Sequence, residues 1–205
     1  MNITEISTPY ILLDLPKARE NIKTMQAGAD RYGCALRPHI KTHKSIEIAK
    51  MQLAAGAAGI TSAKPSEAAV FAEEGIDDIF IAYPLIGNFR IQRAIALFRN
   101  VKRLILGIDS LEGAKALSNA AVKEGVILEI RLEIDTGLKR TGIPRENAAS
   151  LAKEIVQMPG LDLTGIYTYK GLLLDGTVTN ENQLAGEEEA RLIEDTVNEI
   201  DQIRK

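Results

Sequence analysis

The run "VILEIRLEID" at residues 126–135 decides the architecture. Read as a strand, it sorts cleanly by parity, because successive side chains leave opposite faces of an extended chain. Leu128, Ile130, Leu132 and Ile134 share one face, and Glu129, Arg131, Glu133 and Asp135 share the other. A strand in an open doubly wound sheet is covered on both faces and reads apolar on both. Here one face is entirely charged. A barrel with a polar, functional lumen accommodates such a strand, with charge inward and the aliphatic face outward against helices.

Working outward, short apolar runs alternate with helical patterns. The runs lie at 10–13, 35–40, 58–62, 78–82, 103–108, 126–134 and 161–169. Residues 16–32 carry a helical stripe of Ala18, Ile22, Met25 and Ala29 and stop at Gly33. Residues 45–55 stop at Gly56, and Pro65 opens a helix that ends near Gly75. Asp109 and Glu112 have capping-box spacing, Pro144 opens a further helix, and the last helix carries the stripe Ile193, Val197, Ile200. Repeated strand–helix units predict an α/β fold with a parallel sheet and helices outside, a (β/α)8 TIM-type barrel of which about six units are present. No dinucleotide fingerprint or P-loop occurs.

Composition excludes several classes. The 205 residues carry a net charge of −3, so no broad basic face is expected to meet nucleic acid. No apolar stretch approaches membrane-spanning length, and the N-terminus lacks a signal-peptide pattern. The single cysteine, Cys34, allows no internal disulfide and fits a reducing, cytoplasmic setting.

Against this acidic background, "LRPHIKTHK" at 36–44 gathers three cations, Arg37, Lys41 and Lys44, and the chain's two histidines. If the segment is extended, Arg37, His39, Lys41 and His43 point one way, into the same lumen as the charged face of 126–135. A solvated basic turn is the bland reading. A metal site from His39 and His43 lacks a third ligand. The remaining reading is an amine nucleophile, Lys41 or Lys44: a lysine must be neutral to attack a carbonyl, and crowded positive charge disfavours the protonated form. The end of a barrel strand is where such active sites are built.

Four segments carry a family resemblance: "TPYILLDL" at 8–15, "LRPHIKTHKSIEIA" at 36–49, "LEIDTGLKRTGI" at 132–143 and "GIYTYKG" at 165–171. Together they resemble the fold-type III pyridoxal-phosphate enzymes, closest to the D-threonine aldolase and D-serine dehydratase group and related to the alanine racemase N-terminal domain. The resemblance implies that Lys41 forms the Schiff base with pyridoxal 5'-phosphate. It implies that Arg140 contacts the cofactor's phenolic oxygen and that Tyr169 lies close to the pyridine ring. His39 shares the inner face with Lys41 and joins the cofactor-binding set. The implied substrate is a small D-amino acid, and the bond broken at Cα decides between retro-aldol cleavage, β-elimination and racemisation.

The resemblance also sets expectations of organisation. Residues 1–15 are expected as a strand belonging to a second domain, and 16–205 as a partial pyridoxal-phosphate barrel. A full barrel of this type needs eight strands and about 250 residues. The chain is therefore expected to be a fragment, inactive by itself and homodimeric at full length. In the group resembled, a C-terminal β-domain holds a divalent metal, manganese or zinc, and that domain is not in this sequence. An amino-acid racemase and a non-catalytic pyridoxal-phosphate carrier are the alternatives.

Overall fold

The computed structural model describes residues 5–171 and 180–204. Its elements alternate as the periodicity predicts: α1 (Leu15–Arg31), α2 (Ile46–Ala54), β1 (Ile60–Ser62), α3 (Pro65–Glu73), β2 (Asp78–Ile81), α4 (Asn88–Phe98), β3 (Arg103–Ile108), α5 (Leu111–Glu124), β4 (Leu128–Asp135), β5 (Ile143–Pro144), α6 (Arg145–Ile155), β6 (Leu161–Thr168) and α7 (Asn180–Arg204). Local chemistry sets the helix starts. Asp14 caps α1 by accepting from Lys17 N, and Ser45 caps α2 by accepting from Ile48 N. At α5 the cap is Ser110, which accepts from Gly113 N, rather than the expected Asp109. The Asp109 carboxylate instead accepts from Gly142 N at 3.4 Å.

The sheet is parallel throughout, in the order β1, β2, β3, β4, β6, with β5 a two-residue extension beside the C-terminal end of β4. The segment before β1 lies alongside it through a single parallel bridge, His39 to Thr61. The run at 35–40 was expected as a full strand. Pro38 has no N–H to donate, and a 3-10 turn begins at Ile40, so pairing stops at one bridge and the bond from Thr61 N to Pro38 O at 2.7 Å.

The parity of 126–135 holds. Leu128, Ile130, Leu132 and Ile134 are all buried. They form one core with Ile79, Ile81, Leu104 and Leu106 and with helix residues such as Leu117, Leu151 and Ile155. The opposite face carries Phe80, Gly107, Glu129, Arg131 and Glu133, register neighbours across β2, β3 and β4 or their extension by two. This is half of a barrel in section: helices outside, an aliphatic layer beneath them, and a polar concave face.

Two expectations are corrected, in α1 and in α7. Residues 10–13, expected to pair with a second domain, pair with no strand among the described residues of this chain. Their side chains are open to solvent, Ile11 at 98% exposure. In α1 the inward residue is Gln26, at 6% exposure, and Met25 points out. In α7 the inward stripe is Ile193, Thr196 and Ile200, with Val197 outside. Thr196 is tolerated there because its hydroxyl donates to Leu192 O at 2.6 Å. The helix at Asn88–Phe98 was not singled out from sequence. It begins at Gly87 without a side-chain cap, so the usual start signal is missing.

The aliphatic layer is the stability of the fold. Ile130 is fully buried at its centre. Ile130→Ala is expected to lower the unfolding free energy by about 2–5 kcal/mol, through lost transfer energy and the cavity left behind. Denaturant titration measures it, and a loss below about 1 kcal/mol would show that the layer repacks.

Candidate functional site at the C-terminal end of the sheet

Lys41 reaches the C-terminal end of the sheet by a turn. The chain is extended through His39, and Ile40–Thr42 then close a 3-10 turn anchored by the fully buried Ile40. His39 organises that turn. Its Nδ1 accepts from Lys41 N at 3.4 Å and its carbonyl from the Thr42 hydroxyl at 3.1 Å. Strand alternation past residue 39 is therefore not what brings Lys41 to its place. Arg37 goes to the other end of the sheet, where it pairs with Asp78 at 2.7 Å. His43 turns back on its own segment, with Nδ1 accepting from Ser45 N at 3.0 Å.

The concave face is layered. At the N-terminal end, charges alternate across neighbouring strands: Arg37 on Asp78, then Arg103 bidentate on Glu129 at 2.7 and 2.8 Å, with Thr164 also donating to Glu129 at 2.9 Å. The Arg103 contact holds the Glu129 carboxyl below its usual range. Above this lies an aromatic layer. Tyr167 meets Phe80 edge-to-face at 5.0 Å, and the Arg131 guanidinium sits 5.6 Å from the Phe80 ring centre. Gly107 makes room for it: a Cβ there would stand 2.3 Å from the Tyr167 hydroxyl.

The next layer is a buried carboxylate. Glu133, at 4% exposure, accepts from the Tyr167 hydroxyl at 2.9 Å and the Thr141 hydroxyl at 2.7 Å. Burial, and next the Glu133 charge, push the Tyr167 phenol far up, so it stays protonated and donates. Thr141 belongs to the loop 136–142 that carries Arg140. Asp135 fixes the start of that loop, accepting from Gly137 N at 2.8 Å and Lys139 N at 3.1 Å. Gly142 closes it at φ 97°, where a Cβ would lie 2.7 Å from Asp135 N.

These supports converge on one surface. The Lys41 Nζ lies 6.0 Å from the Tyr169 ring centre and the Arg140 Cζ 5.3 Å from the same ring. A cavity of about 340 Å³ opens there, lined by His39, Lys41, Lys64, Tyr83, Arg90 and Arg140 among others, with no carboxylate in its wall. His39, Lys41, Arg140 and Tyr169 are thus brought together. Glu133, Gly107 and Arg90 were not anticipated as site residues. Glu133 had a signal in its parity; Arg90 had none, since its helix was not recognised. Among the described residues no group of three or more His, Cys, Asp or Glu stands together to hold a metal ion. No described helix is long and apolar enough to cross a membrane. Cys34 is a free, exposed thiol.

A parallel sheet with outer helices, a polar concave face and a lysine at its C-terminal end defines a barrel-type α/β enzyme scaffold. Comparison places it more narrowly. Residues 13–198 match the model of the alanine racemase N-terminal domain. The chain is 36% identical over 170 residues to a D-threonine aldolase of Arthrobacter sp, covering 82% of this chain and 45% of that protein. It is 34% identical over 175 residues to a 3-hydroxy-D-aspartate aldolase of Paracoccus denitrificans, covering 84% of this chain and 45% of the relative. The crystal structure of D-threonine aldolase from Filomicrobium marinum superimposes with a TM-score of 0.92 at 28% identity, over 98% of this chain and 55% of that one. The chain belongs to the alanine racemase N-terminal domain family, the fold-type III pyridoxal-phosphate group. It spans about half the length of the curated relatives it matches.

Two measurements test the site's construction. Tyr167→Phe removes one donor from the buried Glu133 and is expected to destabilise the fold by about 1–3 kcal/mol in denaturant titration; unchanged stability would mean that the contact carries nothing. Desolvation, joined at His39 by the charge of Lys41, holds His39 and His43 below the ordinary 6.5. The unfolded chain therefore binds more protons as pH falls through that value, so stability present above it is lost below it. The loss between about pH 7 and pH 5 is expected to flatten in the double variant His39→Asn, His43→Asn.

Proposed function

We propose that the chain is the cofactor-binding barrel part of a pyridoxal-phosphate-dependent lyase acting on β-hydroxy D-amino acids. The observation that carries this reading is the convergence of the Lys41 amine and the Arg140 guanidinium on the Tyr169 ring, at 6.0 and 5.3 Å, beside a cavity of about 340 Å³. The residues fit the group. A primary amine suits the cofactor's aldehyde, a guanidinium its phenolic oxygen, and an aromatic face its flat ring. The relatives named D-threonine aldolase and 3-hydroxy-D-aspartate aldolase support the lyase class and the D configuration.

Pyridoxal phosphate, when bound, supplies an electron sink for negative charge at the substrate's Cα. This chain's residues do the rest by position. Lys41 anchors the cofactor through its ε-amino group. His39 keeps the Lys41 turn closed, and its low proton affinity leaves Nδ1 free to accept. Arg140 orients the ring, supported by the Thr141–Glu133–Tyr167 chain beneath it. The solvent-exposed Tyr10, Ile11, Leu12 and Leu13 support a division near residue 15, because their side chains find no cover on the rest of the described chain.

Incubation with pyridoxal phosphate, borohydride reduction and peptide mapping is expected to place the label on Lys41. A label on Lys44 instead would overturn the assignment. Arg140→Ala is expected to weaken cofactor retention by about tenfold to a hundredfold, the equivalent of a charge-assisted hydrogen bond of ~1.5–3 kcal/mol. Unchanged retention and spectrum would return Arg140 to a solvated loop.

A further inference from the structure

The end of β6 is held from outside the sheet. Its last ladder pair is Ile134 with Thr168, so the backbone at Tyr169 and Lys170 lies beyond the pairing. Gly171 then turns the chain away at φ 66°. Tyr169 is more than half exposed, and its cation neighbours stand 5.3 and 6.0 Å from the ring centre. Neither close packing nor a short contact fixes the ring, so its place is set by the peptide that carries it.

A cavity of about 350 Å³ lies between this segment and α7, lined by Thr168, Tyr169, Lys170, Gly186 and Glu189 among others. One carboxylate makes the connection beside it. Glu189 Oε1 accepts from Lys170 N at 2.8 Å and lies 3.5 Å from the Thr136 hydroxyl. Lys170 directly follows Tyr169, and Thr136 opens the loop that carries Arg140. The same oxygen thus reaches both segments whose side chains meet at Lys41. Two further contacts interlock those segments. The Thr136 and Thr168 hydroxyls lie 2.7 Å apart. Leu138 packs where Gly171 has no side chain: a Cβ there would stand 2.8 Å from Leu138 Cδ1. Glu188 also pairs with the Lys170 ammonium, but at the end of a flexible side chain, where it fixes the peptide weakly. Helix α7 itself docks by other means, through Ile193, Thr196 and Ile200 and through the pair of Arg145 with Glu199.

We propose that Glu189 is a positioning residue: by holding the Lys170 peptide and the Thr136 hydroxyl it fixes Tyr169 and Arg140 against Lys41. This deepens the proposed function and rests on it for the cofactor. Without the carboxylate, the Lys170 N–H turns to water. The segment is then free to swing into the adjoining cavity, and the aromatic face leaves Lys41.

The test uses the full-length protein and the variants Glu189→Ala, Glu189→Gln and Thr136→Val. Glutamine keeps an oxygen that accepts from Lys170 N; alanine does not. In cofactor-free protein, hydrogen exchange at residues 168–171 and 137–142 is expected to quicken about tenfold in Glu189→Ala and to stay near the parent rate in Glu189→Gln. Pyridoxal phosphate retention is expected to fall about tenfold in Glu189→Ala and to stay within about threefold of the parent in Glu189→Gln. The absorption band of the bound cofactor shifts in the alanine variant alone, while the denaturant midpoint and the borohydride label at Lys41 are kept. Thr136→Val, which keeps the volume and loses the hydroxyl, weakens retention in the same direction. Unchanged exchange in Glu189→Ala overturns the proposal. Quickened exchange with unchanged retention and spectrum overturns it too, because the bond then holds backbone and nothing more. An equal loss in glutamine and alanine variants also sinks it, since charge rather than the tether would be at work. Absence of the Lys41 label in the parent overturns the cofactor reading, and exchange in the cofactor-free protein then judges the positioning by itself. If Glu189→Ala fails to fold, Thr136→Val decides: unchanged retention and unchanged exchange at 137–142 end the proposal.

Discussion

Burying the Glu133 carboxylate is the constraint on which the site depends. A carboxyl group at 4% exposure is tolerated only if its oxygens find hydrogen-bond partners. One oxygen takes the Tyr167 hydroxyl, the other the Thr141 hydroxyl. The first requirement draws β6 against β4 with its tyrosine pointing into the concave face, and the ring needs the space that Gly107 leaves. The second draws the loop after β4 back over its own strand, with Arg140 one residue before the hydroxyl that is held. A single buried carboxyl group thus links strands β3, β4 and β6 to the placement of a cation at the cavity mouth.

The lower ion pairs do a different job. Arg103 is 44% exposed and Glu129 19%, so their pairing is partly screened by water and contributes on the order of 1 kcal/mol or less. Their effect is one of register. A parallel strand slipped by one residue would bring Glu129 and Arg131 to the aliphatic side and Ile130 into the lumen, losing both the pairs and the core. The charged face therefore specifies alignment, and the apolar face supplies the energy.

How much of this was legible follows from which residues answer to periodicity. The strand parity of 126–135 read directly, because both faces obey a period of two over eight consecutive residues. The motif lysine and arginine were legible through resemblance, and their convergence on Tyr169 was beyond any one-dimensional pattern, since 41, 140 and 169 meet only after the sheet curves. Elements without punctuation were lost. Helix α4 starts on an uncapped glycine, and the 35–40 run alternates like a strand although Pro38 has no N–H with which to extend the pairing beyond one bridge. Met25 and Val197 were placed in the inward stripes, and Gln26 and Thr196 occupy those positions instead: hydropathy prices a polar group as solvated, whereas Thr196 bonds its own helix and Gln26 donates to Asp30 at 2.8 Å.

The two cations central to the site share a further feature. Each is followed or preceded closely by a lysine in the left-handed region, Lys44 at φ 51° after Lys41 and Lys139 at φ 55° before Arg140. For a residue with a Cβ this conformation costs about 1–2 kcal/mol. Such strain persists only where the surroundings over-determine it. They do so here: Lys44 N bonds Ile40 O at 2.8 Å, tying the turn to a fully buried anchor, and Lys139 N bonds the Asp135 carboxylate at 3.1 Å. Both bonds pull the chain sharply back toward the sheet close to Lys41 and Arg140. A relaxed backbone at either place would let the turn open outward and carry its cation away from Tyr169. The site's geometry is therefore set less by contacts among Lys41, Arg140 and Tyr169, which are long, than by the two tethered turns that hold their backbones.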